Sequence, residues 1–253
     1  MSACKSQAIT TPGEDEDFLF AMKLRPPSNW VKEETMERGD SFQLASGLHV
    51  FEYTNKDKRF NKMFNNAMQG PTNMYMSKIV ESYRGFDDVK TVVNVGGGVG
   101  ASLRILLSKH PHIHGINFDL PHVVKEAPPY PGIEHVGVDM TNYIPKADAI
   151  LMKWIIHDAD CQFCVKLLKN CSEALAEKGK VVIVDAVLRE YPETDIVARN
   201  AFLADTAMLN MTPGRKDRTE RKIKVLARAS GVDAPKLVCR VYNMWVVELR
   251  KRM

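Results

Sequence analysis

The spacing of apolar residues changes character three times along this chain. Over residues 1–40 no period is sustained. Phe18-Leu19-Phe20-Ala21-Met22 suits the start of a helix, but Pro26-Pro27 ends it, because proline lacks an amide donor and restricts the residue before it. From about residue 55 a helical stripe sets in, with Phe60, Met63, Phe64, Ala67 and Met68 on one face. Gly70-Pro71 reads as a break, and a second helix follows through Met74, Met76, Ile79, Val80 and Tyr83. Beyond Lys90, short apolar runs alternate with helical segments. Strands are expected at Thr91–Val95, Gly115–Phe118, Ile133–Val138, Ala149–Ile156 and Lys180–Val187, with helices at Ala101–Lys109 and Cys161–Ala176. Apolar strands separated by helices imply a mostly parallel sheet covered on both faces. The last two strands, Pro235–Tyr242 and Met244–Arg250, are joined too tightly for a helical crossover and should be antiparallel. The chain thus divides into a weakly patterned arm, residues 1–40, and one α/β domain, residues 41–253.

Composition narrows the class without naming a chemistry. Apolar residues make up 45% and charged residues 26% of 253, and the net charge is +4, as in an ordinary globular protein. No apolar run approaches the length of about 18 residues that suggests a membrane span. The acidic stretch Glu14-Asp15-Glu16-Asp17 is opposite in sign to a secretory leader, so a cytoplasmic protein is expected. The cysteine count, 5, is odd, and the spacing is not that of a disulfide framework, which suggests free thiols in a reducing compartment. Cys161, Cys164 and Cys171 share a helix with Val165, Leu167 and Leu168 and are read as packing residues; no metal site is expected. The basic residues Arg215, Lys216, Arg218, Arg221, Lys222, Lys224 and Arg228 accompany Ile223, Leu226, Ala227 and Ser230 at helical spacing. They read as the solvated face of an amphipathic helix, and no nucleic-acid partner is expected.

Candidate chemistry lies at the ends of the strands. Val95-Gly96-Gly97-Gly98-Val99-Gly100-Ala101 joins the first strand to its helix, where glycines permit a tight turn and the helix start offers free amides to a ligand. Gly96, Gly98 and Ala101 also fit the dinucleotide pattern, so the loop alone does not separate NAD from another adenosine compound. Asp119 follows about twenty residues later, at the end of the second strand, where a carboxylate accepts from ribose hydroxyls. Asp139 closes the third strand and suits an adenine amino group. The fourth strand leads to Lys153, His157 and Asp158, and an imidazole there is suited to act as a general base. Asp185 and Asp217 are further carboxylates able to converge on it.

In order along the chain, VVNVGGGVGA, GINFDLPHVV, YPGIEHVGVDM, ADAILMKWIIHDAD, LLKNCSEAL, GKVVIVDAVL and PGRKDRTE resemble the plant O-methyltransferases of the caffeic acid and flavonoid type, from about Phe42 to the C-terminus. The resemblance implies a Rossmann-like class I methyltransferase fold, a mostly parallel seven-stranded sheet with a C-terminal antiparallel hairpin. It implies S-adenosyl-L-methionine as methyl donor, contacted by Gly96, Gly98, Asp119, Leu120, Asp139, Met140 and Lys153. The acceptor would be a phenolic hydroxyl of a phenylpropanoid or flavonoid-like molecule, held by Phe60, Phe64, Met68, Asp158, Met208 and Thr212. His157 would be the base, with Asp185 and Asp217 in the flanking-acid positions.

The chain departs from the family pattern at several of these points. Asn94 stands where an Asp precedes the glycines, and Asp185 and Asp217 stand where Glu is usual. Ala159 replaces a Trp, and Thr54, Pro71 and Thr212 replace polar or His residues near the acceptor. The family's long helical N-terminal domain, which forms the homodimer, is represented only by the acidic opening and FLFAMKL, so residues 1–40 are expected to be its remnant and the dimer is in doubt. A second reading follows from these departures: a catalytically impaired relative that binds the donor, or a full-length partner, without efficient turnover. A nicotinamide-dependent oxidoreductase is less compatible with the terminal hairpin and the lack of a second substrate domain.

Overall fold

The computed structural model describes residues 41–191, 195–196, 199 and 217–252. Three helices lead in: α1 (Ser41–Ser46), α2 (Val50–Lys56) and α3 (Lys58–Ser82). The sheet elements then follow as β1 (Thr91–Val95), α4 (Ala101–Lys109), β2 (His114–Asp119), α5 (Pro121–Val124), β3 (Ile133–Gly137) and β4 (Ala147–Lys153). A single 3-10 turn (Ile156–Asp158), α6 (Cys161–Ala174) and β5 (Leu175–Leu188) come next, and β6 (Arg218–Thr219), α7 (Glu220–Ser230), β7 (Lys236–Val241) and β8 (Met244–Arg250) complete the described chain. The expected arm, residues 1–40, lies outside the described residues, as do Met208 and Thr212.

The main path of the sheet runs β3-β2-β1-β4-β5-β8-β7, with β6 paired to β5 beside it. β1, β2, β3, β4 and β5 are mutually parallel, while β8 runs antiparallel to both β5 and β7. The expected seven-stranded sheet with a terminal hairpin is therefore present, with β6 as a two-residue addition. Strand periodicity splits its core into two layers. Val93, Val95, Ile150, Met152 and Ile183 pack with Leu167 and Leu168 of α6 and Leu226 of α7. Val92, Leu151, Val182 and Val184 face the other way, onto Met76 and Ile79 of α3 and Leu103 and Leu106 of α4. Cys164 and Cys171 are free thiols buried in the first layer as packing residues, whereas Cys161, expected to pack with them, is exposed at the start of α6. No helix among the described residues is long and apolar enough to cross a membrane.

Three expectations about element boundaries need correction. Gly70-Pro71 does not divide two helices: α3 is continuous, with Pro71 inside it. The proline removes one intrahelical bond at a cost of about 3 kcal/mol, but the helix is anchored on both sides. Asp57 caps the start by accepting from the amides of Arg59 and Phe60 at 2.9 and 3.1 Å, and the Thr72 hydroxyl donates to the Met68 carbonyl at 2.6 Å. Beyond the proline, Tyr75, Met76, Ile79 and Val80 are buried, and such side chains contribute about 1.5–3 kcal/mol each. β4 stops at Lys153 rather than Ile156, because Trp154 takes a left-handed conformation (φ 59°) that turns the chain out of the sheet. β5 starts at Leu175, five residues before the apolar run that announced it, because Leu175 already pairs with Ala147.

Candidate active site

The parallel ladder brings four turns to one edge of the sheet. After β1, Gly96 and Gly98 have φ of 63° and 58°, values that favour glycine. A Cβ on Gly96 would lie 2.2 Å from the Ile155 side chain, whereas one on Gly98 would meet nothing within 4 Å. Gly96 is thus closed in by protein, and Gly98 faces open space. Gly98 also ties the loop to the next strand: its amide donates to Asp119 Oδ2 at 2.7 Å, and the Leu120 amide donates to Oδ1 at 2.7 Å. Burial raises the Asp119 carboxyl above its ordinary range, an effect those two amides partly oppose.

The remaining candidate donor residues cluster at the same edge. Met140 lies close to Gly96, its Cε 3.6 Å from where a Cβ would stand. Asp139, two residues past β3, is exposed and accepts from the Thr141 amide at 2.7 Å. Lys153 ends β4 with its ammonium 3.4 Å from the centre of the Trp154 ring. Beneath the loop, Asn94 is 1% exposed and its Nδ2 has no hydrogen-bond partner, nor has Asn117 Oδ1. The amide that stands in place of the usual Asp therefore leaves a buried donor unmet.

His157 is presented by the turn that follows Trp154. The Trp154 amide still donates to the Val184 carbonyl at 3.0 Å, so the turn remains tied to β5 as it leaves the sheet. Two carboxylates face the same ring nitrogen: His157 Nδ1 lies 2.9 Å from Asp185 Oδ1 and 3.4 Å from Asp217 Oδ1. Asp185 belongs to β5, whose next residues pair with β6, Val187 with Arg218 and Leu188 with Thr219. That short ladder carries Asp217 to the imidazole. Asp185 and Asp217 are 1% and 2% exposed, and neither oxygen of Asp185 receives a hydrogen bond of good geometry despite the close approach. Nδ1 is therefore the ring nitrogen turned to the acids.

The ligand atoms of these three residues lie within 4.8 Å of one another, so the trio also has a spacing that a divalent cation would tolerate. The side chain of Asp158, the residue after the imidazole, lies outside the described residues.

The aromatic stripe of α3 stands apart from the buried layers. Phe60 and Phe64 stack with ring centres 6.4 Å apart, Phe60 meets Tyr53 edge-on at 5.0 Å, and both rings and Met68 are half-buried. Helical periodicity alone would have placed these residues in the core; the structure puts Phe60, Phe64 and Met68 in neither of its two buried layers.

Sequence reading missed two contributors. Ile155 closes the glycine loop from below, and its only signal was its place in the fourth motif. Arg218 was counted with a solvated basic face, and for α7 that reading holds, since Ile223, Leu226, Ala227 and Ser230 form the buried side. Arg218 itself precedes the helix and is only 2% exposed. Its guanidinium donates to the Ile156 carbonyl at 3.2 Å, to the Ala159 carbonyl, and to Cys164 Sγ at 3.3 Å.

Comparison with known proteins bears directly on this arrangement. Residues 28–233 match the family model described as an O-methyltransferase domain. The chain is 51% identical over 221 residues to caffeic acid 3-O-methyltransferase 2 of Ocimum basilicum, covering 87% of this chain and 61% of that protein. It is 48% identical over 236 residues to myricetin 3-O-methyltransferase 3 of Solanum habrochaites, covering 92% and 65%. Among solved structures, the mitomycin 7-O-methyltransferase superposes with a TM-score of 0.76 at 25% identity, over 84% of this chain and 63% of that one. The chain thus spans less than two thirds of the length of both plant relatives.

Proposed function

The chain belongs to the O-methyltransferase domain family, and on that premise we propose that it transfers the methyl group of S-adenosyl-L-methionine to a phenolic hydroxyl of a phenylpropanoid or flavonoid-like acceptor, with His157 as general base. The observation that carries this reading is the imidazole whose Nδ1 faces two buried carboxylates at 2.9 and 3.4 Å. Residues 41–253 form the catalytic domain in this reading, and the protein is cytoplasmic. The plant relatives named above methylate caffeic acid and myricetin, both phenols, which supports the acceptor class.

When bound, the donor supplies a sulfonium-activated methyl group. Asp119, oriented by the Gly98 and Leu120 amides, would receive the ribose hydroxyls, and Gly96, Gly98, Leu120, Asp139, Met140 and Lys153 would hold the rest of the donor. The half-buried rings of Phe60 and Phe64, with Met68, would hold the acceptor face; Asp158, Met208 and Thr212 are assigned to the acceptor by the sequence resemblance. His157 Nε2 removes the phenolic proton while Asp185 and Asp217 hold the Nδ1 proton and stabilise the imidazolium that results. Much of the remaining rate comes from aligning the phenolic oxygen with the methyl carbon.

A labelled methyl-transfer assay over a panel of catechols, run beside His157→Ala, tests the reading. Equal activity of the two proteins removes His157 from the mechanism. A second reading, donor binding without efficient turnover, is favoured by the Asp185 carboxylate, which is buried without a well-formed hydrogen bond and is one methylene shorter than the family's Glu. Donor binding by the wild type with no methyl transfer to any catechol would select it.

A further inference from the structure

A fully buried guanidinium is an expensive thing to place in a protein, because a charge removed from water must recover its hydration through hydrogen bonds. Arg218 is 2% exposed, one of the largest fully buried side chains among the described residues. Its contacts reach the turn that carries His157 and the start of α6. Nε donates to the Ile156 carbonyl at 3.2 Å, one Nη to the Ala159 carbonyl, and the same Nη lies 3.3 Å from Cys164 Sγ at the start of α6, where the other Nη lies 4.0 Å from Cys161 Sγ. Ile156 and Ala159 bracket His157 in the 3-10 turn that carries it. The carbonyls at the end of so short a helix have no partners within it. A planar fork suits the pair, and an ammonium would reach them only one at a time.

The neighbour of Arg218 in the chain is Asp217, whose carboxylate is 3.4 Å from the imidazole. Backbone pairing of Arg218 with Val187 in turn fixes this dipeptide to the strand that carries Asp185. The dipeptide Asp217-Arg218 therefore reaches both the ring of His157, which Asp185 also faces, and the backbone on either side of it.

We propose that Arg218 is a positioning residue for the base, clamping the Ile156 and Ala159 carbonyls so that His157 keeps Nδ1 against Asp185 and Asp217 and Nε2 toward the acceptor. This inference rests on the methyltransferase reading for its kinetic consequence and on geometry alone for its structural one. A misplacement of about 1 Å at a base can cost about 10²-fold in rate. Arg218→Met should therefore lower kcat about 100-fold and Arg218→Lys about 10-fold, with the KM for the donor moved less than twofold.

The deciding experiment adds a signal that does not depend on turnover. Nitrogen-15 shifts of the His157 ring, assigned by their loss in His157→Ala, report which ring nitrogen carries the proton. The wild type should show the Nδ1–H tautomer, and Arg218→Met a mixture with the Nε2–H form. A folded Arg218→Met with unchanged kcat and unchanged tautomer overturns the proposal; if that variant does not fold, a normal tautomer and kcat in Arg218→Lys overturns it equally. If the wild type transfers no methyl group, the methyltransferase reading fails, while the tautomer comparison still decides whether the clamp exists.

Discussion

The glycine-loop edge and the His157 cluster share one rim of the sheet but are assembled by different means. At the glycine edge, each group sits at the end of its own strand or in the turn directly after it, and backbone amides hold the key carboxylate, as Gly98 and Leu120 hold Asp119. At His157 the groups come from a turn after β4, from within β5 and from the residue before β6, and side chains hold them together. The first kind of site is local and repeats the geometry of βα turns generally. The second exists only when three separated segments meet. Damage at the first should weaken binding, and damage at the second should slow chemistry while binding survives.

The largest test of that contrast is His157→Ala. Its rate of methyl transfer should fall by about 10²–10⁴-fold, while S-adenosylhomocysteine, titrated calorimetrically, should bind within twofold of wild type. A matching loss of binding would mean the two regions are not separable. Gly96→Ala probes the other side. Its Cβ would lie 2.2 Å from Ile155 at a φ of 63°, a strain of about 1–3 kcal/mol, so donor affinity should fall about 10-fold or more. Gly98→Ala carries only the φ penalty and should be milder; a reversed order would contradict the close approach of Ile155.

A smaller effect follows from acidity. Burial raises the Asp119 carboxyl, and under the proposed function the ionised form is the one that would accept from both ribose hydroxyls. Donor affinity should therefore be full at neutral pH and decline as pH falls, with a midpoint above the ordinary carboxylate value of about 3.9. Asp119→Asn should remove that dependence. The smallest effect expected is none: prolonged dialysis against EDTA should leave the transfer rate within error of untreated protein. A loss restored by a divalent cation would reassign the His157, Asp185 and Asp217 trio as a metal site.

Most of the fold was legible beforehand because its signals are short-range. Alternating apolar runs located β1 at Thr91–Val95 and β8 at Met244–Arg250 without error. What escaped were features decided at a distance. Pro71 looked like a helix end, yet α3 runs through it, because tertiary burial of Met76 and Ile79 outweighs one missing hydrogen bond. The end of β4 was overestimated because Ile155 and Ile156 are as apolar as a strand, and nothing local announces a left-handed Trp154.

By itself the sequence determined the order of strands and helices, the glycine turn, and the residues at each strand end, since period and turn chemistry act over a few neighbours. The tertiary structure alone decided that Asp185 and Asp217 share one imidazole nitrogen and that Arg218 is buried instead of solvated. A cation in a basic run is indistinguishable in sequence from its exposed neighbours. Only the folded chain supplies the Ile156 and Ala159 carbonyls that make its burial favourable.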